Sequence, residues 1–69
     1  MTITEKSHKN KNYYISLDIE KGYENFYYCV RAYPIIGGVC GYPERSMTYS
    51  MNEKEKANAT FKRYIKKYI

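Results

Sequence analysis

The sequence predicts a small α+β domain, in which a three-stranded antiparallel β-sheet (a meander) packs against one C-terminal amphipathic α-helix in the order β-β-β-α. Three observations lead to this prediction. Two runs of alternating apolar and polar residues flank a glycine turn, a Gly-Gly pair follows the second run, and the last 20 residues place apolar side chains at helical spacing. The 69 residues have room for one domain.

Residues 1–11 are predicted to form a flexible polar N-terminal tail, and residues 12–69 the single α+β domain. The first eleven residues are mostly polar and follow neither a strand nor a helix period. His8, the only histidine, lies there. We expect it to be solvated, without a catalytic or ligand-binding role.

The first two predicted strands cover residues 12–20 and 24–32. Each alternates apolar and polar residues, the period of a strand with one buried face. A two-residue turn at Lys21-Gly22 would join them and place Leu17 opposite Phe26. In that register the apolar residues of both strands share one face.

A second hairpin turn is predicted at Gly37-Gly38, with Ile36 opposite Val39 and a third strand at residues 45–49. The same register would place Arg31 opposite Glu44 and Tyr33 opposite Tyr42, which are favourable cross-strand pairs. Pro34 and Pro43 cannot donate to a ladder, so we expect the distal half of this hairpin to be bent or open. It would project as an arm that carries Ile35, Ile36 and Val39.

The helix is predicted to begin at Ser50, because Ser50 and Glu53 form the S-x-x-E pattern of a capping box. Five apolar residues then recur on one helical stripe: Ala57, Phe61, Tyr64, Ile65 and Tyr68. Basic residues follow near the C-terminal end, where they suit the helix dipole. The stripe should pack on the apolar face of the sheet, which includes Phe26 and Met47, and form the core with it.

The chain has a formal net charge of +5, and its residues 50–69 carry six Lys or Arg against two acidic residues. No signal peptide and no apolar stretch long enough to span a membrane is visible, so we expect a cytoplasmic protein without membrane contact. Cys29 and Cys40 form no C-x-x-C pair and are expected to be free thiols.

The residues do not suggest an enzyme. Cys29 could be a nucleophile, but His8 lies in the predicted tail and no Cys/His or Ser/His/Asp arrangement can be proposed. No phosphate-binding glycine motif or metal-ligand cluster is present in the sequence. We therefore expect no catalytic residue, no metal, no cofactor and no small-molecule substrate.

Ten tyrosines and no tryptophan are the unusual feature of the composition. In the predicted registers several of them lie on the solvent side of the sheet, where Tyr and Arg are typical of partner-binding surfaces. The candidate partner-binding residues are Tyr14, Tyr27, Arg31, Tyr33 and Tyr42. Alternatively, these tyrosines cover the outer face simply because aromatic residues suit strands.

The sequence thus predicts a non-enzymatic binding domain that uses an exposed tyrosine-bearing sheet face, or a sheet edge, for a protein partner or for self-association as a homodimer. A dimer would also compensate for the small core.

The alternative is a small nucleic-acid-binding protein that contacts DNA or RNA through the sheet face and the basic helix. The predicted β-β-β-α order resembles the N-terminal DNA-binding domains of some tyrosine recombinases, a likeness of topology that implies DNA binding through the sheet. The outer face also carries Asp18, Glu20 and Glu44, which oppose phosphate binding. A basic patch that could contact an acidic partner or a nucleic-acid backbone consists of Lys62, Arg63, Lys66 and Lys67.

Overall fold

The computed structural model describes residues 2–69, which form an antiparallel sheet followed by one C-terminal helix. The strands are β1 (Thr2–Lys9), β2 (Tyr13–Lys21), β3 (Phe26–Ile36), β4 (Val39–Cys40) and β5 (Arg45–Ser50). A 3-10 turn at Met51–Glu53 leads into helix α1 (Lys54–Tyr68). The predicted α+β class is confirmed. The three predicted strands are β2, β3 and β5, so the prediction undercounts the strands by two.

The sheet has the order β1-β2-β3, and the far edge of β3 is shared by β4 and β5. β5 pairs with the first part of β3, and β4 pairs only with its last two residues. All pairings are antiparallel. The additional strand β1 means that the observed order departs from the four-element order on which the recombinase resemblance was based.

The prediction of a flexible tail at residues 1–11 is wrong for residues 2–9, which form β1 and pair with β2. Every side chain of β1 is exposed, so the strand carries no apolar alternation that could indicate it. A bulge between Thr4 and Lys6 also breaks its period. Polar contacts attach the side chains of β1 to the rest of the domain, including a hydrogen bond of 2.7 Å from Lys6 Nζ to Asn58 Oδ1 on α1.

Replacing Thr4 by alanine tests whether β1 is part of the fold. Thr4 Oγ1 donates to the buried carboxylate of Asp18 at 2.9 Å. We expect Thr4→Ala to lower the free energy of unfolding by about 1–2 kcal/mol, measured by urea denaturation. The matched control is Thr2→Ala, since Thr2 Oγ1 makes only an exposed contact of 3.4 Å with Glu20. Equal, negligible effects of both changes would mean that residues 2–9 do not pair.

The first hairpin differs from the predicted two-residue turn. Lys21 pairs with Phe26, and the loop between them closes through a bond of 2.8 Å from the Gly22 amide to the Asn25 carbonyl. Gly22 is needed for this close approach, because a Cβ there would lie 2.8 Å from the Asn25 oxygen. The observed register of β2 against β3 is shifted from the predicted one by an even number of residues, so every side chain keeps its predicted face. Leu17 now faces Val30 instead of Phe26.

The second hairpin turns at Gly37 and Gly38, as predicted, and Ile36 faces Val39. Both glycines have positive φ, at 61° and 81°, which tight hairpin turns require. The ladder has only two pairs before the chain leaves it. The amide of Gly41 donates to the Pro34 carbonyl and that of Glu44 to the Ala32 carbonyl.

The third predicted strand is confirmed as β5, but its register is shifted by two residues. Arg31 faces Ser46 instead of Glu44, because residues 41–44 leave the ladder as an irregular segment. The predicted Arg31–Glu44 pair is therefore wrong. The carboxylate of Glu44 instead accepts the Tyr13 hydroxyl at 3.4 Å.

The core lies between α1 and one face of the sheet. Its buried residues are Ile15, Leu17, Tyr28, Val30, Ala32, Ala57, Phe61 and Tyr64. The predicted helical stripe is confirmed, with Ile65 and Tyr68 partly buried at its C-terminal end. Phe26 and Met47, expected in the core, are about half exposed because they lie beyond the area that the helix covers.

The predicted capping box is present at Ser50. Its amide donates to Glu53 Oε1 at 3.1 Å, and its hydroxyl reaches the same oxygen at 3.0 Å. The backbone hydrogen bond from Ser50 lowers the pKa of the Glu53 carboxyl, assisted by a side-chain bond from Lys56. The box caps the short 3-10 turn, so the α-helix itself begins at Lys54.

Candidate binding surfaces

The sheet face opposite α1, called here the outer face, carries a groove of about 450 Å³. Side chains of β1, β2 and β3 line it, together with Cys40 of β4. It contains three of the five candidate residues predicted from the sequence: Tyr14, Arg31 and Tyr33. The register of β2 against β3 brings them together, since Tyr14 faces Tyr33 and Ser16 faces Arg31.

An ion cluster forms the floor of this groove. Arg31 Nη1 lies 3.0 Å from Asp18 Oδ2, and Arg31 Nη2 contacts Glu20 Oε2. Asp18 is buried and also accepts the hydroxyls of Ser16 and Thr4. No buried side-chain nitrogen or oxygen in residues 2–69 lacks a hydrogen-bond partner. The cluster is therefore internally complete, as a buried ionic group must be.

Burial opposes the charge on the Arg31 guanidinium, but the hydrogen bond that it donates to Glu20 and the neighbouring acidic groups outweigh burial and raise its pKa. Arg31 therefore stays charged, and its two terminal nitrogens are occupied by carboxylates. One guanidinium against two carboxylates leaves the floor with a net negative charge. This arrangement disfavours phosphate on the outer face.

Tyr14 and Tyr33 form one wall of the groove. Their ring centroids are 5.8 Å apart with the planes tilted by 37°. Both side chains are half-buried, so each retains an accessible edge. Burial is the main cause of the raised pKa of the Tyr33 hydroxyl, which keeps it as a neutral donor. The pair is a packed and partly exposed aromatic surface.

Cys29 faces Asp18 of the ion cluster across the β2–β3 ladder and is buried. Burial raises the pKa of its thiol to about 11, although the nearby Arg31 charge works in the opposite direction. The thiol is thus protonated at neutral pH. A protonated, enclosed thiol is a poor nucleophile.

The two free thiols should therefore differ sharply in reactivity. At pH 8 we expect Cys40, which is exposed, to react rapidly with a disulfide reagent and Cys29 to react only on unfolding. Because the folded-state pKa of Cys29 is raised, the stability that it contributes is complete below pH 9 and is lost as the pH rises towards 11. Rapid modification of both thiols in the native protein at pH 8 would contradict this burial.

Tyr27 lies apart from the first groove. It lines a second groove of about 450 Å³ across the end of β5, together with Thr48, Tyr49, Ser50 and Glu53. Tyr27 faces Ser50 across the β3–β5 ladder. Among the tyrosines predicted to bind a partner, Tyr27 is the one that lies beside the sheet edge formed by β5.

Tyr42 does not belong to the predicted tyrosine patch. It lies in the irregular segment after β4, almost fully exposed, and does not pair with Tyr33. The prediction extended the β3–β4 ladder too far. The segment from Gly41 to Glu44 leaves that ladder.

The predicted basic patch of Lys62, Arg63, Lys66 and Lys67 is exposed on the last turns of α1. Lys67 Nζ lies 5.4 Å from the centre of the Tyr68 ring, a cation–π distance. Arg63 reaches Thr60 Oγ1 at 3.4 Å. The patch is separate from the outer face, because α1 covers the opposite side of the sheet.

The two edges of the sheet are protected very differently. β1 carries Glu5, Lys6, His8 and Lys9 and contains a bulge, features that block pairing with another strand. β5 is regular over six residues, and Arg45 is its single charged residue. Met47 at its middle is 44% exposed. β5 is therefore an open edge with a partly apolar surface.

Sequence reasoning missed Asp18 as the centre of the ion cluster and Met47 as an edge residue. Asp18 was expected on the solvated outer face, but strand β1 covers it. Met47 was expected in the core. Both differences arise from long-range arrangement, which residue alternation does not report.

Among residues 2–69, no helix is both long enough and apolar enough to cross a membrane. In the same residues, no three His, Cys, Asp or Glu side chains are grouped so that they could hold a metal ion. Comparison of the chain with protein-family models, curated proteins and solved structures finds no match.

Proposed function

We propose that this protein is a small non-enzymatic binding module that associates with a second copy of itself through the open edge of β5. The observation that carries the proposal is the contrast between the two sheet edges: β1 is charged and bulged, whereas β5 is regular, has one charge and exposes Met47. An unprotected regular edge favours the addition of another strand.

The symmetry of such a dimer follows from the faces of β5. Met47 and Tyr49 lie on the helix side, and Ser46 and Thr48 on the outer side. A two-fold axis perpendicular to the sheet, at Met47 or at Thr48, pairs residues that share a face. With the axis at Met47, Arg45 lies opposite the partner's Tyr49 and the two methionines meet. No like charges face each other in this arrangement.

The outer face would then continue across the dimer. The second groove, with Tyr27 at its wall, lies beside β5 and would adjoin its symmetry mate. The first groove, with Tyr14, Arg31 and Tyr33, stays open and is the proposed surface for a further protein partner. The free thiols, one buried and one exposed, favour a reducing compartment, so we place the protein in the cytoplasm.

Two observations favour protein over nucleic acid as the partner of the outer face. The terminal nitrogens of Arg31 are occupied by Asp18 and Glu20, so they are not available to a phosphate. The ion cluster also has a net negative charge, which repels a nucleic-acid backbone. Retention on a DNA column that falls steeply with salt and is lost when Tyr14 and Tyr33 are replaced by alanine would reverse this ranking.

Light scattering with size-exclusion chromatography tests the dimer. We expect a mass twice that of the 69-residue chain at high micromolar concentration. Met47→Lys places a charge at the middle of the edge and should give a monomer. Since Met47 is nearly half exposed, the variant should fold, which circular dichroism can verify.

The control is Ser7→Lys, which places the same charge on the opposite edge. Ser7 is an exposed residue of β1, and this variant should remain a dimer. A wild-type monomer at all concentrations, or equal dissociation by both lysines, would refute the proposal.

A further inference from the structure

The hairpin turn between β3 and β4 exposes aliphatic side chains that contribute nothing to the core. β2 pairs with β3 only as far as Pro34, and beyond Ile35, whose amide bonds to the Asn12 carbonyl, the chain depends on its own short hairpin. Ile36 is 74% exposed and Val39 is 69% exposed. We call residues 34–42 the arm. The exposure of Ile36 and Val39 agrees with the sequence-based expectation, whereas Ile35, expected on the same arm, is partly buried.

The arm itself is uncharged, since residues 33–43 contain no Lys, Arg, Asp or Glu. Tyr42, which is 94% exposed, follows the aliphatic tip. An aliphatic tip with a tyrosine nearby is the arrangement that suits the boundary between water and lipid, because tyrosine prefers the headgroup level.

Two segments that carry basic residues lie at the base of the arm. Tyr68 at the end of α1 packs on Tyr13 with ring centroids 4.8 Å apart, and Tyr13 pairs with Pro34. The turn between β1 and β2 lies there too, because the Ile35 amide donates to the Asn12 carbonyl at 2.8 Å. The basic end of α1 and that turn therefore share one end of the domain with the arm.

The charge is strongly divided between the two ends. The segments at the arm end, residues 9–13, 33–45 and 62–69, contain seven Lys or Arg and only one acidic residue, Glu44. Of the 12 basic and 7 acidic residues in the chain, this leaves five basic and six acidic residues for the rest. The arm end is positive, and the remainder is close to neutral.

From this combination we propose that the arm end docks on an anionic lipid surface, with Ile36 and Val39 inserted among the acyl chains and the lysines on the headgroups. Apolar insertion and attraction to anionic lipid together give reversible surface binding. The sequence-based expectation of no membrane contact depended on the lack of an apolar stretch long enough to span a bilayer, which binding at the lipid surface does not need. The arm provides one that leaves the core intact.

The absence of charge on the arm favours lipid over nucleic acid. A β-arm that enters a DNA groove runs between two rows of phosphates, where Lys or Arg along the arm itself would be needed. Here the basic residues lie only at the base. The arm and the β5 edge are separate surfaces that share one of the seven basic residues of the arm end, Arg45 at the start of β5.

Vesicle co-sedimentation tests the proposal, with phosphatidylcholine vesicles that contain about one-third phosphatidylglycerol and with pure phosphatidylcholine vesicles. We expect binding to the anionic vesicles that weakens with salt, and little binding to the neutral ones. Ile36→Ser with Val39→Ser should weaken binding at least about tenfold. Lys66→Glu with Lys67→Glu should do the same.

The matched control is Lys54→Glu with Lys56→Glu, an equal change of charge at the other end of α1, which should leave binding unchanged. All substituted residues are exposed, and circular dichroism verifies that each variant folds. Met47→Lys should still bind vesicles, which separates this proposal from the dimer. Failure to bind anionic vesicles, binding to duplex DNA alone, or an equal loss in the control would overturn the proposal.

Discussion

Phe61→Ala is expected to lower the free energy of unfolding by about 3–5 kcal/mol. Phe61 is 7% exposed and lies in the layer where α1 packs on the buried residues of β2 and β3. A core of this size rarely supplies more than about 3–5 kcal/mol in total, so the variant should be largely unfolded at 37 °C. Urea denaturation or thermal melting followed by circular dichroism measures the change.

The neighbouring change Lys62→Ala is its control. Lys62 is exposed on the same helix turn, and alanine is a better helix former, so this variant should melt within a few degrees of the wild type. If Phe61→Ala melts like Lys62→Ala, the helix does not pack on the sheet as described.

Arg31→Met is expected to have the second large effect, a loss of about 3 kcal/mol of stability at neutral pH. Methionine keeps much of the volume but removes the charge that faces Asp18 and Glu20. Asp18 is buried, so the two carboxylates would be left close together without a counter-charge. Chemical denaturation at pH 7 gives the magnitude.

The triple variant with Arg31→Met, Asp18→Asn and Glu20→Gln distinguishes charge from packing. It removes the uncompensated carboxylates, and we expect it to recover part of the stability that the single change loses. If the Arg31→Met protein is as stable as the wild type, the ion cluster does not stabilise the fold and behaves like a surface salt bridge.

The alternation of apolar and polar residues was sufficient to identify β2 and β3 and the faces of their side chains, whereas β5 was predicted from the turn at Gly37-Gly38. The face assignments hold although the first hairpin register was wrong, because the pairing moved by an even number of residues. A two-residue turn at Lys21-Gly22 and a longer loop bury nearly the same side chains. Sequence alternation cannot choose between them.

Strand β1 could not be recognised because it has no buried face. Its residues are fixed by backbone pairing with β2 and by polar contacts such as Thr4 with Asp18. Such contacts depend on residues distant in sequence and leave no local period. Because β1 was not predicted, Asp18 was expected to be solvated, whereas β1 covers it.

The candidate site residues also differ in whether local alternation or long-range arrangement determines their position. Tyr14, Arg31 and Tyr33 were placed together correctly, because they depend only on the alternation within β2 and β3. Tyr42 and the Arg31–Glu44 pair depended on a long second ladder, which ends after two pairs. The open edge of β5 requires knowledge of what lies beside a strand, and that is a property of the whole sheet.

Disulfide trapping across the proposed two-fold axis tests the central claim about β5 most directly. In a Cys40→Ser background, Met47→Cys or Thr48→Cys places a thiol at one of the two possible axis positions, and Cys29 stays buried. Residues that face each other across an antiparallel pair are close enough to form a disulfide. We expect one of the two variants to form a covalent dimer on mild oxidation, whereas Ile3→Cys on β1 does not. If neither β5 variant is trapped, or if Ile3→Cys is trapped as readily, the β5 edge is not the interface.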